Sequence, residues 1–375
     1  MISGERLIQE FMELVRIDSE TGNERQIADV LKEKFSALGL TAAEDDSQER
    51  TGHGAGNLLV TWPAVDGASA PKLLFTCHMD TVVPGQNIQP SLGEDGWITS
   101  DGSTILGADD KAGLAALFEA IRVIQEQKLP HGQLQFVITA GEESGLLGAR
   151  SMNPDLLDAD FGFALDSNGE VGAIAVAAPA QAKVKMQIFG KSAHAGVNPE
   201  DGISAIQVAS KAISAMKLGR IDSETTANIG KFAGGGPTNV VCDYVQLDAE
   251  ARSIVQNKVE LQISSMREAL ETTAREYGAQ SEFQSEIIYP AFSFTEHDPV
   301  VQLADRAISS LGLTTRLFHS GGGSDANVFN GHKVPTVNLA IGYEHIHTTK
   351  ERIKAEDIVK VAELVIAIVK ESVKG

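Results

Sequence analysis

The sequence predicts a layered α/β protein with a smaller antiparallel α/β unit inserted into it. Two patterns carry this expectation. Short apolar runs of strand length alternate with amphipathic helical segments over the first and last parts of the chain, which is the order of a sheet covered by helices. Between them lie strands of clean polar–apolar alternation, which marks a sheet with one solvated face. The 375 residues are ample for more than one core.

The chain opens with two helices. Leu7, Ile8, Phe11, Leu14 and Val15 share one face, and Ile27, Val30, Leu31, Phe35 and Leu38 do the same in the next segment. Asn23 is placed to cap the second helix. Residues 45–56 are polar and read as a loop; 57–63 (NLLVTWP) read as a strand. A short apolar run at 72–77 has strand character. The segment 111–127 is helical, with Leu114, Leu117, Phe118, Ile121 and Ile124 on one side. Strands follow at 133–139 and 161–165. Near the end, 336–341 (TVNLAI) is a buried strand, and Ile358, Val361, Leu364, Val365, Ile368 and Val369 line a long terminal helix.

The middle alternates. In 183–189, Val184, Met186 and Ile188 oppose Lys183, Lys185 and Gln187. In 245–254, Val245, Leu247, Ala249 and Ala251 oppose Gln246, Asp248, Glu250 and Arg252. Amphipathic helices fall at 203–217 and 259–277. Strand, helix, strands, helix, strand is the order of a split βαβ unit. It is placed at 178–292, so the larger domain comprises 1–177 and 293–375.

Composition narrows the function. Charged residues are 22% and apolar ones 42% of the chain, which excludes disorder, collagen and coiled coil as overall classes. With 31 Lys and Arg against 51 Asp and Glu, the net charge is −20, so nucleic acid and anionic membrane are poor partners. Cys77 and Cys242 build no disulfide framework and read as buried free thiols in a reducing compartment. Charges at Glu5, Arg6, Glu10 and Glu13 interrupt any signal-peptide core. No apolar stretch approaches the ~18–20 residues of a membrane span. The expectation is a cytoplasmic protein.

Four polar clusters each follow a predicted strand. They are His78 and Asp80 (CHMDT), Glu142 and Glu143 (AGEESG), Asp166 (LDSNG), and His345 and His347, which follow TVNLAIGYE. If these strands are parallel, their carboxyl ends form one rim, where α/β sheets bind ligands. Asp109 and Asp110 (GADDKAG) precede a helix whose N-terminus favours anions. The rim then gathers six carboxylates against Lys111. Such crowding raises pKa values and costs stability unless cations reverse it. Mixed imidazole and carboxylate suits zinc, with manganese or cobalt as substitutes. Two ions ~3.5–4 Å apart would lower the pKa of a bridging water toward ~7, giving a hydroxide nucleophile.

The set CHMDT, LGADDKAG, AGEESG, LDSNG, KSAHAG and HTTKE resembles the dinuclear zinc exopeptidase family. That family includes peptidase T, carboxypeptidase G, acetylornithine deacetylase and succinyl-diaminopimelate desuccinylase. The match spans nearly the whole chain, and GADDKAG and GEESG are most similar to the peptidase T branch. The resemblance implies a three-layer α/β/α catalytic domain with a ferredoxin-like lid. It implies two zinc ions, with His78 and Asp166 on one, Glu143 and His347 on the other, and Asp109 bridging. Glu142 is then the general base, Asp80 orients His78, and His194 donates to the oxyanion. His347 is preferred to His345 because Glu351 follows it by four residues, as in the family. Arg252 would take a substrate carboxylate, Asn239 would help hold the substrate, and Ser324 and Asp325 lie in a loop (GGGSDAN) that lines the pocket. His53, His131, His297, His319 and His332 receive no role.

The implied activity is release of the N-terminal residue from short peptides, as in a tripeptidase. An N-acyl amino acid deacylase or a carboxypeptidase would use the same centre, because specificity lives in the pocket. A non-catalytic binding protein is the reading from another class; the presence of Glu142, Glu143 and every metal position argues against it. Family members dimerise, which leaves a homodimer through the lid open, and with it whether His194 serves its own subunit.

Overall fold

Runs of apolar residues that never alternate must be covered on both faces, and this rule builds the larger unit. The computed structural model describes residues 2–65 and 70–374. Strands Leu73–His78, Leu134–Thr139, Ala173–Ala178 and Thr336–Ala340 are buried at every position. They belong to a mixed sheet sandwiched between helices in three layers. Leu73–His78 pairs in parallel with Leu134–Thr139 on one side and with Phe161–Ser167 on the other. Thr336–Ala340 runs parallel beyond Phe161–Ser167. Leu58–Trp62 is antiparallel to Leu134–Thr139, and Ala173–Ala178 is antiparallel to Thr336–Ala340 but parallel to Arg316–His319. The Ala173–Ala178 run (AIAVAA) is missing from the sequence reading because alanine carries a helical preference and little strand signal.

Helices Gly4–Val15, Arg25–Ala37, Ala108–Gln127 and Ala355–Ser372 bury the faces their spacing predicts. Phe35 packs on Phe118 with ring centroids 4.7 Å apart, and Phe75 on Phe163 at 5.6 Å. One buried acid, Glu10, accepts from Lys34 Nζ at 2.8 Å and also binds Arg122, so three helices share a paired charge and no lone one. Gly113 is required where the 108–127 helix meets the sheet. A Cβ there would lie 2.8 Å from the Leu165 carbonyl and 2.4 Å from Asp110 Oδ1.

Three local expectations fail. Asn23 does not cap the second helix; Glu24 occupies that position, and its carboxylate accepts instead from the N–H groups of Gly22 and Gly54. The polar stretch 45–56 contains a short helix, Ser47–Thr51, ended by Gly52 at φ 73°. Cys77 is buried, but Cys242 is only partly so.

The inserted unit comprises Ala178–Ser293 together with Gly321–Gly323. Its sheet runs, in space, Gly219–Arg220, Thr225–Gly234, Tyr244–Ser253, Ala180–Phe189, Gln280–Tyr289, all antiparallel. Numbered along the chain, the four long strands lie in the order 2-3-1-4, a split βαβ topology. Val184, Met186, Val245 and Leu247 pack under helices Ala205–Ala215 and Gln256–Glu276. On the other face Lys183 lies opposite Glu250 and Lys185 opposite Asp248, which matches charge across strands.

Candidate metal centre

Strands Leu134–Thr139, Leu73–His78, Phe161–Ser167 and Thr336–Ala340 are neighbours and parallel, so their carboxyl ends share an edge. His78 closes its strand, Asp166 lies near the end of another, and Glu142, Glu143 and His347 follow the remaining two. Asp109 stands in the first turn of the 108–127 helix. Its ψ of 99° leaves the helical path, and Asp110 is also non-helical, so regular turns begin near Lys111.

Asp109 divides its carboxylate between two imidazoles. Oδ1 is 3.0 Å from His78 Nε2, and Oδ2 is 3.2 Å from His347 Nε2. His347 Nε2 is also 2.9 Å from Glu143 Oε1, and His78 Nε2 is 3.8 Å from Asp166 Oδ1. Ligand-type atoms gather within 4.8 Å in three sets: His78, Asp109 and Asp166; His78, Glu142 and Glu143; Asp109, Glu143 and His347. Among the described residues His345 joins none of them. His345 and His347 sit at φ 57° and 62°, backbone strain of the kind that concentrates at functional sites.

Electrostatics makes this arrangement uncomfortable without cations. Burial pushes the Glu142 carboxyl well above the usual range, and Asp166, Asp325 and Glu143 add to the rise. Burial and Asp109 raise Asp166, and burial raises Glu143 against the pull of His347. Asp109 is lowered, because His347 and His78 outweigh its own burial. Asp109 and Glu143 in turn drive His347 up to about 10. Asp110 Oδ1 and Glu143 Oε1 are buried with no aligned donor. His78 Nδ1 lies 2.9 Å from the Asp80 carbonyl; if it donates there, a neutral ring turns its Nε2 lone pair on Asp109. A divalent cation between them would satisfy both groups. The donor set fits zinc, cobalt or manganese. Lys111 helps little: its ammonium donates to the Ile17 carbonyl at 2.7 Å, and burial lowers its pKa to about 7.

The supporting groups include several with no assigned role in the sequence reading. Asp80 approaches His78 Nδ1 with its carboxylate only to 3.6 Å. That carboxylate instead accepts from the N–H of Glu142 at 3.0 Å and of Glu143 at 3.2 Å. Glu351 is buried and accepts from the N–H groups of Leu106, Gly107 and Asp109 at 2.7, 2.8 and 3.0 Å. Burial raises it to about 7 against those three donors. Asn338 brackets the backbone of Asp166, and Tyr343 donates to Asp166 Oδ1 at 3.1 Å. A polar Asn inside the apolar run TVNLAI was a visible signal; nothing around Tyr343 was. Ser324 begins the Asp325–Gly331 helix with a capping box shared with Asn327, and Asp325 accepts from Thr139 Oγ1. Both are buried.

The remaining expected residues lie in the inserted unit. His194 and Asn239 stand on adjoining segments: Ala195 N–H donates to the Asn239 carbonyl, and Val241 N–H to that of Ala193, each at 2.9 Å. His194 is exposed, and its Nδ1 accepts from Gly196 N–H at 3.2 Å. A neutral ring then carries its proton on Nε2, ready to donate. Arg252 donates through Nε to Glu250 at 2.9 Å, and Gln181 braces that acid at 2.8 Å.

Residues 74–371 match peptidase family M20/M25/M40. The chain is similar in structure to aminopeptidase PepT from Bacillus cereus, at 57% identity, 100% of each chain covered and a TM-score of 0.95. It is similar to a tripeptidase from Staphylococcus aureus, at 50% identity, 100% of each chain covered and a TM-score of 0.95. The Bacillus subtilis protein YqjE is 54% identical over 374 residues, covering 100% of both sequences.

Proposed function

The chain belongs to peptidase family M20/M25/M40 and is a metallopeptidase; from that premise we propose that it removes the N-terminal residue from short peptides, tripeptides foremost. The observation that carries the metal reading is the Asp109 carboxylate, turned with one oxygen to His78 and the other to His347. His78 and Asp166 would hold one divalent cation, Glu143 and His347 the other, with Asp109 shared. When bound, the pair supplies Lewis acidity toward the scissile carbonyl and lowers the pKa of water.

The chain's own groups do the rest. Glu142 accepts a proton from the attacking water and passes it to the leaving amine as the C–N bond breaks. Asp80 keeps Glu142 and Glu143 in place through their backbone N–H groups. His194, with its proton on Nε2, serves as oxyanion donor. Arg252 takes the substrate's terminal carboxylate, which suits its planar fork, and Asn239 adds a polar contact beside His194. Ser324 and Asp325 act on the substrate only through the shape of their loop. The preference for tripeptides rests on the relatives named above.

The test is a peptide screen. Metal-loaded protein is given free tripeptides, dipeptides and N-acetylated peptides. Release of the first residue from free tripeptides is expected, and Glu142→Ala should reduce kcat by about 10²-fold or more. Turnover of blocked substrates alone would replace the aminopeptidase reading with a deacylase one.

A further inference from the structure

His53 lies against the turn that carries Glu142 and Glu143. Gly141 opens this turn at φ +69°, and a Cβ there would fall 2.1 Å from His53 Cε1 and 2.2 Å from Nδ1. The imidazole therefore rests directly on the Gly141 backbone. On its far side, Nε2 is 3.3 Å from Ser144 Oγ, which itself donates to the Gly141 carbonyl at 3.0 Å. The ring thus touches both ends of the four-residue turn.

The ring is itself fixed. Its side chain is only 11% exposed, and Nδ1 stands 3.3 Å from Oε1 of the fully buried Glu24. Glu24 is anchored in turn, accepting from Gly22 N–H at 2.6 Å and from Gly54 N–H, the residue after His53, at 2.8 Å. A buried acid beside Nδ1, not aligned for a hydrogen bond to it, anchors the backbone next to the ring. Asp80 binds the same turn through the N–H groups of Glu142 and Glu143. The turn is therefore held by two separate groups.

We propose that His53, backed by Glu24, is a positioning residue that sets how the 141–144 turn presents Glu142 and Glu143. The inference rests on the reading of those two acids given above. A small displacement of a base or a ligand is costly: an error of ~1 Å can cost up to ~10²-fold in rate, and loss of a group that orients a ligand typically costs ~10- to 100-fold in metal affinity or activity.

The test uses the full chain. Tripeptide kinetics are measured for His53→Ala, Ser144→Ala and His53→Gln, with Co2+ titrated calorimetrically into each metal-free protein. In His53→Ala, kcat should fall about tenfold with KM within about twofold. One of two Co2+ sites, that of Glu143, should weaken about tenfold while the other holds. Ser144→Ala, at an exposed side chain, should shift both in the same direction by less. His53→Gln, which keeps a donor toward Ser144, should recover much of the kcat. Wild-type kcat and unchanged Co2+ binding in His53→Ala would overturn the proposal. So would a parallel loss of kcat, of both Co2+ sites and of Tm, without recovery in His53→Gln. The two readings fail separately: full turnover in Glu142→Gln would remove the base assignment, whereas the Co2+ titration of His53→Ala reads the turn without catalysis.

Discussion

Replacing Asp80 with asparagine separates two jobs that one residue performs. Its carbonyl faces His78 Nδ1 at 2.9 Å, and its carboxylate accepts from Glu142 and Glu143 N–H at 3.0 and 3.2 Å. Burial pushes that carboxyl up, but His78 and the Glu142 N–H outweigh it, so the group is held below the usual range and is ionised at neutral pH. Asp80→Asn keeps the carbonyl. Its side-chain oxygen can accept from one of the two N–H groups, while its NH2 meets the other donor to donor. One charge-assisted hydrogen bond is lost, about 1.5–3 kcal/mol. If that cost falls wholly on the placement of Glu142 in the transition state, kcat drops by about 10- to 150-fold. Steady-state tripeptide kinetics read the rate, and Co2+ calorimetry reads the sites. The Glu143 site should weaken and the His78 site should hold, because the His78 contact to the carbonyl survives. Selective loss of the His78 site, with Glu143 binding and kcat intact, would refute the reasoning and return Asp80 to orienting His78.

Glu351→Gln preserves shape but sets an NH2 against one of three N–H donors; divalent-cation affinity should fall about tenfold by calorimetry, and unchanged affinity would show the contact to Asp109 N–H to be dispensable. Acid stability should carry a signature of Glu44, which pairs with Arg25 and Lys32 and accepts from Gly56 N–H. Those partners outweigh its burial and lower it to about 2 from 4.5. A depressed carboxylate stabilises the fold above its unfolded pKa, and that contribution is lost as pH falls from about 4.5 through about 2. Urea denaturation across that window should show Glu44→Gln converging on the parent at low pH; a constant gap would contradict it.

Much of this was legible in the sequence because burial writes itself into periodicity. The helix carrying Leu114, Leu117 and Phe118, the strand 336–341 and the alternating strands at 183–189 and 245–254 all lie where their patterns place them. Strand ends pointed to His78, Glu142, Glu143, Asp166 and the pair His345 and His347, a helix start pointed to Asp109 and Asp110, and the family resemblance chose Asp109 and His347 among them; the fold gathers the chosen six at one sheet edge. What escaped were contacts between distant segments. Glu351 reaches the 106–109 backbone across more than 240 residues, and His53 meets the 141–144 turn from a loop with no periodicity. Antiparallel pairing of Ala173–Ala178 likewise depends on a partner the local run does not specify.

Removing divalent ions tests the centre most directly. Chelator-treated protein, verified free of metal, is assayed on a free tripeptide and then titrated with Zn2+ or Co2+. Turnover should vanish and return as two equivalents are added. Undiminished cleavage by the metal-free chain would contradict a chemistry built on Asp109 facing His78 and His347.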